Sequence, residues 1–200
     1  MEQNYIDKIK SYKIRIARAI LFCYNKLGDF MKIMIASDIH GSVNCLDQLM
    51  NAYLNEKPDK IIFLGDMFYG YYEEGTVLER MLHGFDNSIF IRGNCDRDID
   101  CMESSLGFMK YYYFEEFGKK IFCSHGHIYN KDNYPDIEFD VLIGGHTHKG
   151  MILKQDNKYF LNPGSVSYPR GGTLNSYMII DENGIYLKEL NQNIIENTNW

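Results

Sequence analysis

Five short clusters along the chain combine glycine or other turn-forming residues with side chains that bind metals or move protons. They are Asp38-Ile39-His40, Gly65-Asp66, Gly93-Asn94-Cys95-Asp96, His125-Gly126-His127 and Gly145-His146-Thr147-His148. Five of the six histidines lie inside them; only His83 lies outside, on a predicted helix beside Gly84, where it reads as a surface or helix-end residue. Each cluster directly follows a short apolar run that reads as a strand. In an α/β sheet the carboxyl ends of the strands gather at one edge, where ligands bind, so residues about 110 positions apart would converge there.

The runs between the clusters predict the elements that carry them. Met31–Ala36 is a buried strand, and Ser42 caps a helix with Val43, Leu46, Leu49, Met50 and Tyr53 on one face. Lys60–Leu64 is a second strand, Thr76–Phe85 a helix with Val77, Met81 and Leu82 inward, and Ser88–Arg92 a third strand. Strand, helix, strand, helix, strand in this order predicts parallel pairing with right-handed crossovers. The second half is richer in strands. Tyr111–Phe117 and Lys119–Cys123 pair across Gly118, and Phe139–Ile143 ends at Gly144-Gly145. Gly150–Lys154 and Lys158–Leu161 flank one hairpin turn, and Tyr177–Ile180 and Ile185–Leu190 flank another carrying Asn183-Gly184.

Composition narrows the class. With 200 residues, 45% hydrophobic and 24% charged, the chain suits one folded domain with a real core. No run reaches the roughly 18 apolar residues of a membrane span. Five cysteines without a C-x-x-C pair fit neither a disulfide framework nor a cysteine zinc site, and they suit a reducing cytoplasm. The net charge of −6 argues against general nucleic-acid binding. That charge is unevenly spread: residues 1–30 carry net +3 and the other 170 net −9, which sets a boundary near Met31. The chain therefore divides into an extension, 1–30, and a domain, 31–200. Ile6, Ile9, Ile16, Ile20 and Leu27 make the extension a basic amphipathic helix suited to a membrane surface or a partner. Alternatively Met31 is the true start, because Gly28-Asp29-Phe30 can be encoded by a ribosome-binding sequence at a workable distance from it.

Carboxylate, imidazole and amide oxygen together suit manganese, iron or zinc better than magnesium or calcium. The clusters hold too many donors for one tetrahedral zinc. Asp66 can bridge two ions, and a pair some 3.5–4 Å apart both generates hydroxide and stabilises in-line displacement at phosphorus.

At these residues the sequence resembles the calcineurin-like metallophosphoesterases, whose pattern runs D-x-H, G-D, G-N-[HC]-[DE], H, G-H-x-H. Met31–Ser42, Asn162-Pro163-Gly164-Ser165-Val166-Ser167 and Ser176-Tyr177-Met178 look like the smaller YfcE-type phosphodiesterases within that superfamily. The resemblance covers about residues 31–190. It implies an α/β fold of two packed mixed β-sheets flanked by helices, a four-layer sandwich. It also implies two divalent metal ions, manganese first, with iron, nickel or zinc as alternatives. Asp38, His40 and His148 would hold one ion and Asn94, His125 and His146 the other, with Asp66 bridging. A metal-bridging hydroxide would attack a small phosphodiester in line.

Asn94, Cys95, Asp96 and His127 are the expected catalytic side chains; Asp96 would orient His40 or Cys95, and His127 would face substrate. Cys95 stands where many members of the superfamily have histidine. A thiol supplies no positive charge, which favours diesters over monoesters. Asn162, Ser165 and Arg170 are expected to touch substrate, as is Tyr69 in the Phe68–Glu74 segment, whose tyrosines could stack on an aromatic leaving group. The rival readings are a phosphomonoesterase or nucleotide phosphatase, and a non-catalytic scaffold; a homo-oligomer is open to either.

Overall fold

A computed structural model describes residues 31–68 and 73–200. The expected extension at residues 1–30 and Tyr69 lie outside the described residues. In chain order the elements are β1 (Ile33–Ala36), α1 (Val43–Glu56), β2 (Lys60–Phe63), α2 (Glu73–Leu82), β3 (Ser88–Ile91), α3 (Asp98–Glu103), β4 (Phe108–Met109) and β5 (Tyr111–Glu116). They continue with β6 (Lys119–Ser124), β7 (Val141–Ile143), β8 (Met151–Gln155), β9 (Lys158–Asn162), β10 (Ser176–Ile180), β11 (Gly184–Glu189) and β12 (Ile194–Asn199).

Two mixed sheets form. The first has the order β12-β11-β10-β1-β2-β3-β4 and the second β5-β6-β7-β9-β8. Strands β1, β2, β3 and β4 run parallel, as do β6, β7 and β9. The five clusters all follow strands of these parallel sets: β1, β2, β3, β6 and β7. Antiparallel hairpins complete both sheets at their edges.

Side-chain alternation shows how the sheets pack. Met34, Ala36, Ile61, Phe63, Phe90, Tyr177 and Ile179 join Leu46, Leu49, Tyr53, Leu78 and Leu82 in one core cluster. Helices α1 and α2 therefore cover that face of the first sheet. The intervening residues Ile33, Ile35, Ile62, Leu64, Met178 and Ile180 are equally buried and face the second sheet. On the second sheet Phe122, Leu142 and Phe160 form an outward cluster, while Ile121, Cys123, Val141 and Ile143 face inward. The outward cluster is closed by rings from the 125–140 segment: Tyr129 sits edge-on to Phe122 at 5.5 Å and Tyr134 stacks on Phe160 at 5.6 Å.

Most expected elements form where the pattern put them. Ser42 caps α1, its side chain accepting from the Cys45 N–H at 3.4 Å. On α2 the inward residue is Leu78 rather than Val77, which is 43% exposed. The helix begins at Glu73, and its buried stripe is Leu78 and Leu82 at i, i+4. Helix α3 and strands β4 and β12 were not evident in the sequence. Two-residue β4 is too short for a period, and β12 (IIENTN) is mostly exposed and shows no clean alternation. Among the described residues no helix is long and apolar enough to cross a membrane.

Candidate metal centre

Five of the parallel strands deliver donors just past their carboxyl ends. Asp38 and His40 follow β1, Asp66 follows β2, Asn94–Asp96 follow β3, His125 and His127 follow β6, and His146 and His148 follow β7. Asp38, His40, Asp66, His146 and His148 have positive φ, at 58°, 46°, 53°, 64° and 60°. Such backbone is uncommon outside glycine and is held only where surrounding contacts over-determine it. Here the loops brace one another: Asp38 N–H donates to Gly65 O at 3.0 Å, His40 N–H to Asp66 O at 2.9 Å, and Gly145 N–H to His125 O at 2.8 Å.

Asp96 is the anchor of this bracing, and the expectation that it orients His40 or Cys95 is corrected. Its carboxylate is fully buried and accepts the backbone N–H groups of Asp66 and Gly93 at 2.8 Å each, Met67 at 2.8 Å and Phe68 at 3.1 Å. Four N–H bonds saturate it, so it fixes the Asp66 loop to the Gly93 loop and does not reach substrate. Gly93 must be glycine for the same reason: a Cβ there would overlap the Asp66 carboxylate.

The side chains then converge. His148 Nδ1 lies 2.6 Å from Tyr168 O and His125 Nδ1 3.0 Å from Leu64 O. A carbonyl only accepts, so each Nδ1 carries hydrogen and each neutral ring presents a lone pair at Nε2. His148 Nε2 points at Asp38 Oδ1, 3.3 Å away. His125 Nε2 points at Asp66 Oδ2, 3.3 Å away, and at Asn94 Oδ1, 3.0 Å away. Asp38 Oδ1 is a buried oxygen with no hydrogen-bond donor. A cation placed between these acceptors would satisfy them together, so this donor set fits bound metal, with a backbone carbonyl steadying each imidazole from behind.

The same convergence shapes the protonation equilibria. Asp38 beside His148 raises that imidazole's pKa. Burial opposes charge on His125, yet Asp66 raises it overall. Burial pushes the Asp66 carboxyl up, but His125 and the Cys95 amide hold it well below the usual carboxylate range. His40, His127 and His146 are lowered, chiefly by burial, and in the last two also by His125.

Among the described residues three groupings of donors meet within 4.8 Å: Asp38, His40 and His148; Asp38, Asp66 and His125; and His40, Asp66 and Cys95. Asp66 Oδ2 lies 3.7 Å from His40 Nε2 and 3.3 Å from His125 Nε2, between the two. The His146 ring stands 5.2 Å from that of His125, and the exposed His127 ring 5.3 Å from it. Cys95 N–H donates to Asp66 Oδ1 at 2.8 Å, and the thiol also groups with His40 and Asp66. Burial and the neighbouring Asp66 charge push this thiol up to about 11.

Of the expected substrate contacts, Arg170 lines a cavity of about 750 Å³ that opens beside His146. Ser165 is fully buried; its hydroxyl donates to Asp38 O at 2.8 Å and accepts the Tyr168 N–H at 2.9 Å, so it fastens loops and has no surface for a substrate. Asn162 Nδ2 holds Gly145 O at 2.7 Å and Thr147 Oγ1 at 3.0 Å, bracing the loop that presents His146 and His148. Sequence reasoning missed Tyr168, whose carbonyl holds His148 and whose ring meets His40 edge-on at 5.8 Å. It stands one residue beyond the Asn162–Ser167 stretch, and nothing in its type announced the role. His83 is exposed near the end of α2, as expected, 2.7 Å from Ser105 Oγ.

Residues 31–184 match the calcineurin-like phosphoesterase superfamily domain. Phosphodiesterase YfcE of Escherichia coli (strain K12) is 31% identical over 175 residues, covering 82% of this chain and 95% of that protein. The solved structure of this E. coli phosphoesterase superposes with a TM-score of 0.77 at 29% identity, covering 84% of this chain and 99% of its own. Vps29 of Entamoeba histolytica, solved with Zn2+, shares the fold at a TM-score of 0.59 and 22% identity, over 84% of this chain and 99% of its own.

Proposed function

The chain belongs to the calcineurin-like phosphoesterase superfamily and is a metal-dependent phosphoester hydrolase, and from that premise we propose that it is a dinuclear phosphodiesterase working in the cytoplasm with manganese, for which iron, nickel or zinc can substitute. The observation that carries this reading is Asp66, a carboxylate held between His40 and His125 at 3.7 and 3.3 Å. In the proposed arrangement Asp38, His40 and His148 hold one ion and Asn94, His125 and His146 the other, with Asp66 shared. When bound, such a pair supplies a nucleophilic hydroxide near neutral pH and neutralises charge on the phosphoryl oxygens.

The chain's own residues do the rest. Asp96 and the braced left-handed turns hold the donors in place. Tyr168 O and Leu64 O keep Nε2 of His148 and His125 aimed inward. Cys95, a thiol beside Asp66, adds no positive charge near the phosphate, which supports a diester monoanion over a monoester dianion as substrate. His127 carries no hydrogen bond among the described residues and is exposed at the mouth of the site, a position suited to substrate oxygen.

The test compares manganese-loaded protein on bis(4-nitrophenyl) phosphate and 4-nitrophenyl phosphate. The diester should have the higher kcat/KM by at least about tenfold, a difference of roughly 1.4 kcal/mol in transition-state binding. Asp66→Asn should lose more than the roughly 10–100-fold typical of a residue that merely supports a ligand, with an unchanged thermal unfolding curve. Equal or faster monoester turnover would establish the monoesterase instead, and wild-type turnover by Asp66→Asn would remove the bridge.

A further inference from the structure

Beside the candidate centre lies a second cavity of about 390 Å³, opening directly onto Asn94, His125 and His127. We propose that this cavity is a nucleoside subsite, in which Tyr111 stacks a nucleobase carried by the phosphate held at the metal centre. The proposal deepens the phosphoesterase reading by naming a substrate class, and it rests on that reading only for the phosphate's position.

The cavity wall is built for a flat ring. Tyr111 lies against Phe122 with ring centroids 5.1 Å apart and planes 22° apart. Phe122 is fully buried, whereas Tyr111 is 43% exposed, so one face of Tyr111 is supported and the other is open. Tyr129 meets Phe122 edge-on at 5.5 Å and 89°, locking the supporting ring from a second direction. Tyr111 is thus preorganised and loses little freedom when it is covered, which is what makes a stacking surface effective. Register ties it to the chemistry. Tyr111 pairs with Ser124 across β5 and β6, and Ser124 is the residue before His125.

The polar groups of the wall suit the same ligand. Lys110, next to Tyr111, is an exposed cavity-lining cation that forms no ion pair with the described residues. Arg92, by contrast, is engaged by Asp98 at 2.6 Å and by Asp96 O at 2.8 Å. A free ammonium beside a supported aromatic face offers one contact for base or sugar oxygens and one for a π-system. Stacking of a base on an aromatic side chain is worth about 1–3 kcal/mol and tolerates any base. The subsite therefore selects for the presence of a base rather than for its identity.

The experiment is calorimetric titration of the manganese-loaded protein with adenosine 5′-monophosphate and with ribose 5-phosphate, which keeps the phosphate and sugar and lacks the base. Wild type should bind the nucleotide about tenfold more tightly, the lower part of the range for one stacked base. Tyr111→Ala should weaken the nucleotide to the level of the sugar phosphate and leave the sugar phosphate unchanged. Tyr111→Phe, which keeps the ring, should retain the preference. Equal affinities in wild type, no measurable binding of either compound, or a preference that survives Tyr111→Ala overturns the subsite. Base-dependent binding without diester turnover would keep the subsite and overturn the diesterase reading; diester turnover with base-independent binding would do the reverse.

Discussion

Cys95 is the side chain at which chemistry and sequence pattern bear most directly on substrate preference. Its thiol groups with His40 and Asp66 and is pushed up to about 11 by burial and by the Asp66 charge; in the proposed function a side chain without positive charge would stand beside the phosphate. Cys95→His would place there a group able to donate a proton near neutrality and to carry positive charge. Well-placed proton donation contributes about 10²–10⁴-fold, and an introduced imidazole should deliver the low end of that range or less. The gain belongs to monoesters and poor leaving groups, because their transition states hold the most uncompensated charge. The check is kcat/KM for a diester and a monoester in both proteins, with metal content measured. A monoester-to-diester ratio that stays flat with metal retained would reduce Cys95 to packing. The donors were singled out because five such clusters follow strand-like runs in one order, whereas any one of them alone reads as an ordinary turn. Asp96 and Ser165 were misread because side-chain type does not say whether an oxygen meets a metal, a substrate or a backbone N–H; only the folded loops decide that.

The loops between strand and helix are where local structure sets the chemistry. Five expected ligands occupy left-handed turns, which aspartate and histidine enter more readily than most residues but still uncommonly, so the strand ends could be located in the sequence while their backbone conformation could not. What makes the turns affordable is close approach, and Gly93 is the clearest case. Its missing Cβ leaves room for the Asp66 carboxylate, while its N–H holds Asp96 at 2.8 Å. Gly93→Ala should displace Asp66, costing about 1–3 kcal/mol from overpacking together with most bound metal and activity. Gly107→Ala is the control, since a Cβ there meets nothing within 4 Å, and it should change none of these. Metal content by elemental analysis and melting temperature separate the two variants; a Gly93→Ala protein with full metal and a wild-type melting point would show that the loop relaxes without cost. Helix α1 was read well because its buried residues keep helical spacing, and β1, β2, β6 and β7 because each is a short continuous apolar run. By contrast, β4 and β12 are held by their neighbours' ladders rather than by a pattern of their own.

Across the whole molecule the layers are clamped by an ionic cluster far from the site. Glu56, the last residue of α1, accepts from Tyr177 OH of β10 at 3.1 Å and from Lys188 Nζ of β11, and lies 3.5 Å from Lys32 Nζ just before β1. Helix and sheet are therefore joined at a carboxylate whose side chain is only 10% exposed. No periodicity predicts this contact, because its members lie as far apart as Lys32 and Lys188 and meet only once the antiparallel β10–β11 hairpin has paired beside β1. Burial opposes ionisation of Glu56, but Lys188 and Tyr177 outweigh it, and the carboxyl is lowered from its ordinary 4.5. With the folded pKa below the unfolded one, the unfolded chain takes up the proton first. The stabilisation is thus fully present above about pH 4.5 and is lost as pH falls through the folded value. Glu56→Gln removes the charge, and at pH 7 it should cost about 1.5–3 kcal/mol, the worth of hydrogen bonds to a charged group. Urea unfolding of both proteins from pH 7 to pH 3 tests this through their difference, in which the other carboxylates cancel. The gap should be constant down to about pH 5 and close below it; a gap that persists unchanged at pH 3 would assign the loss to packing and leave the ion pair without a role in stability.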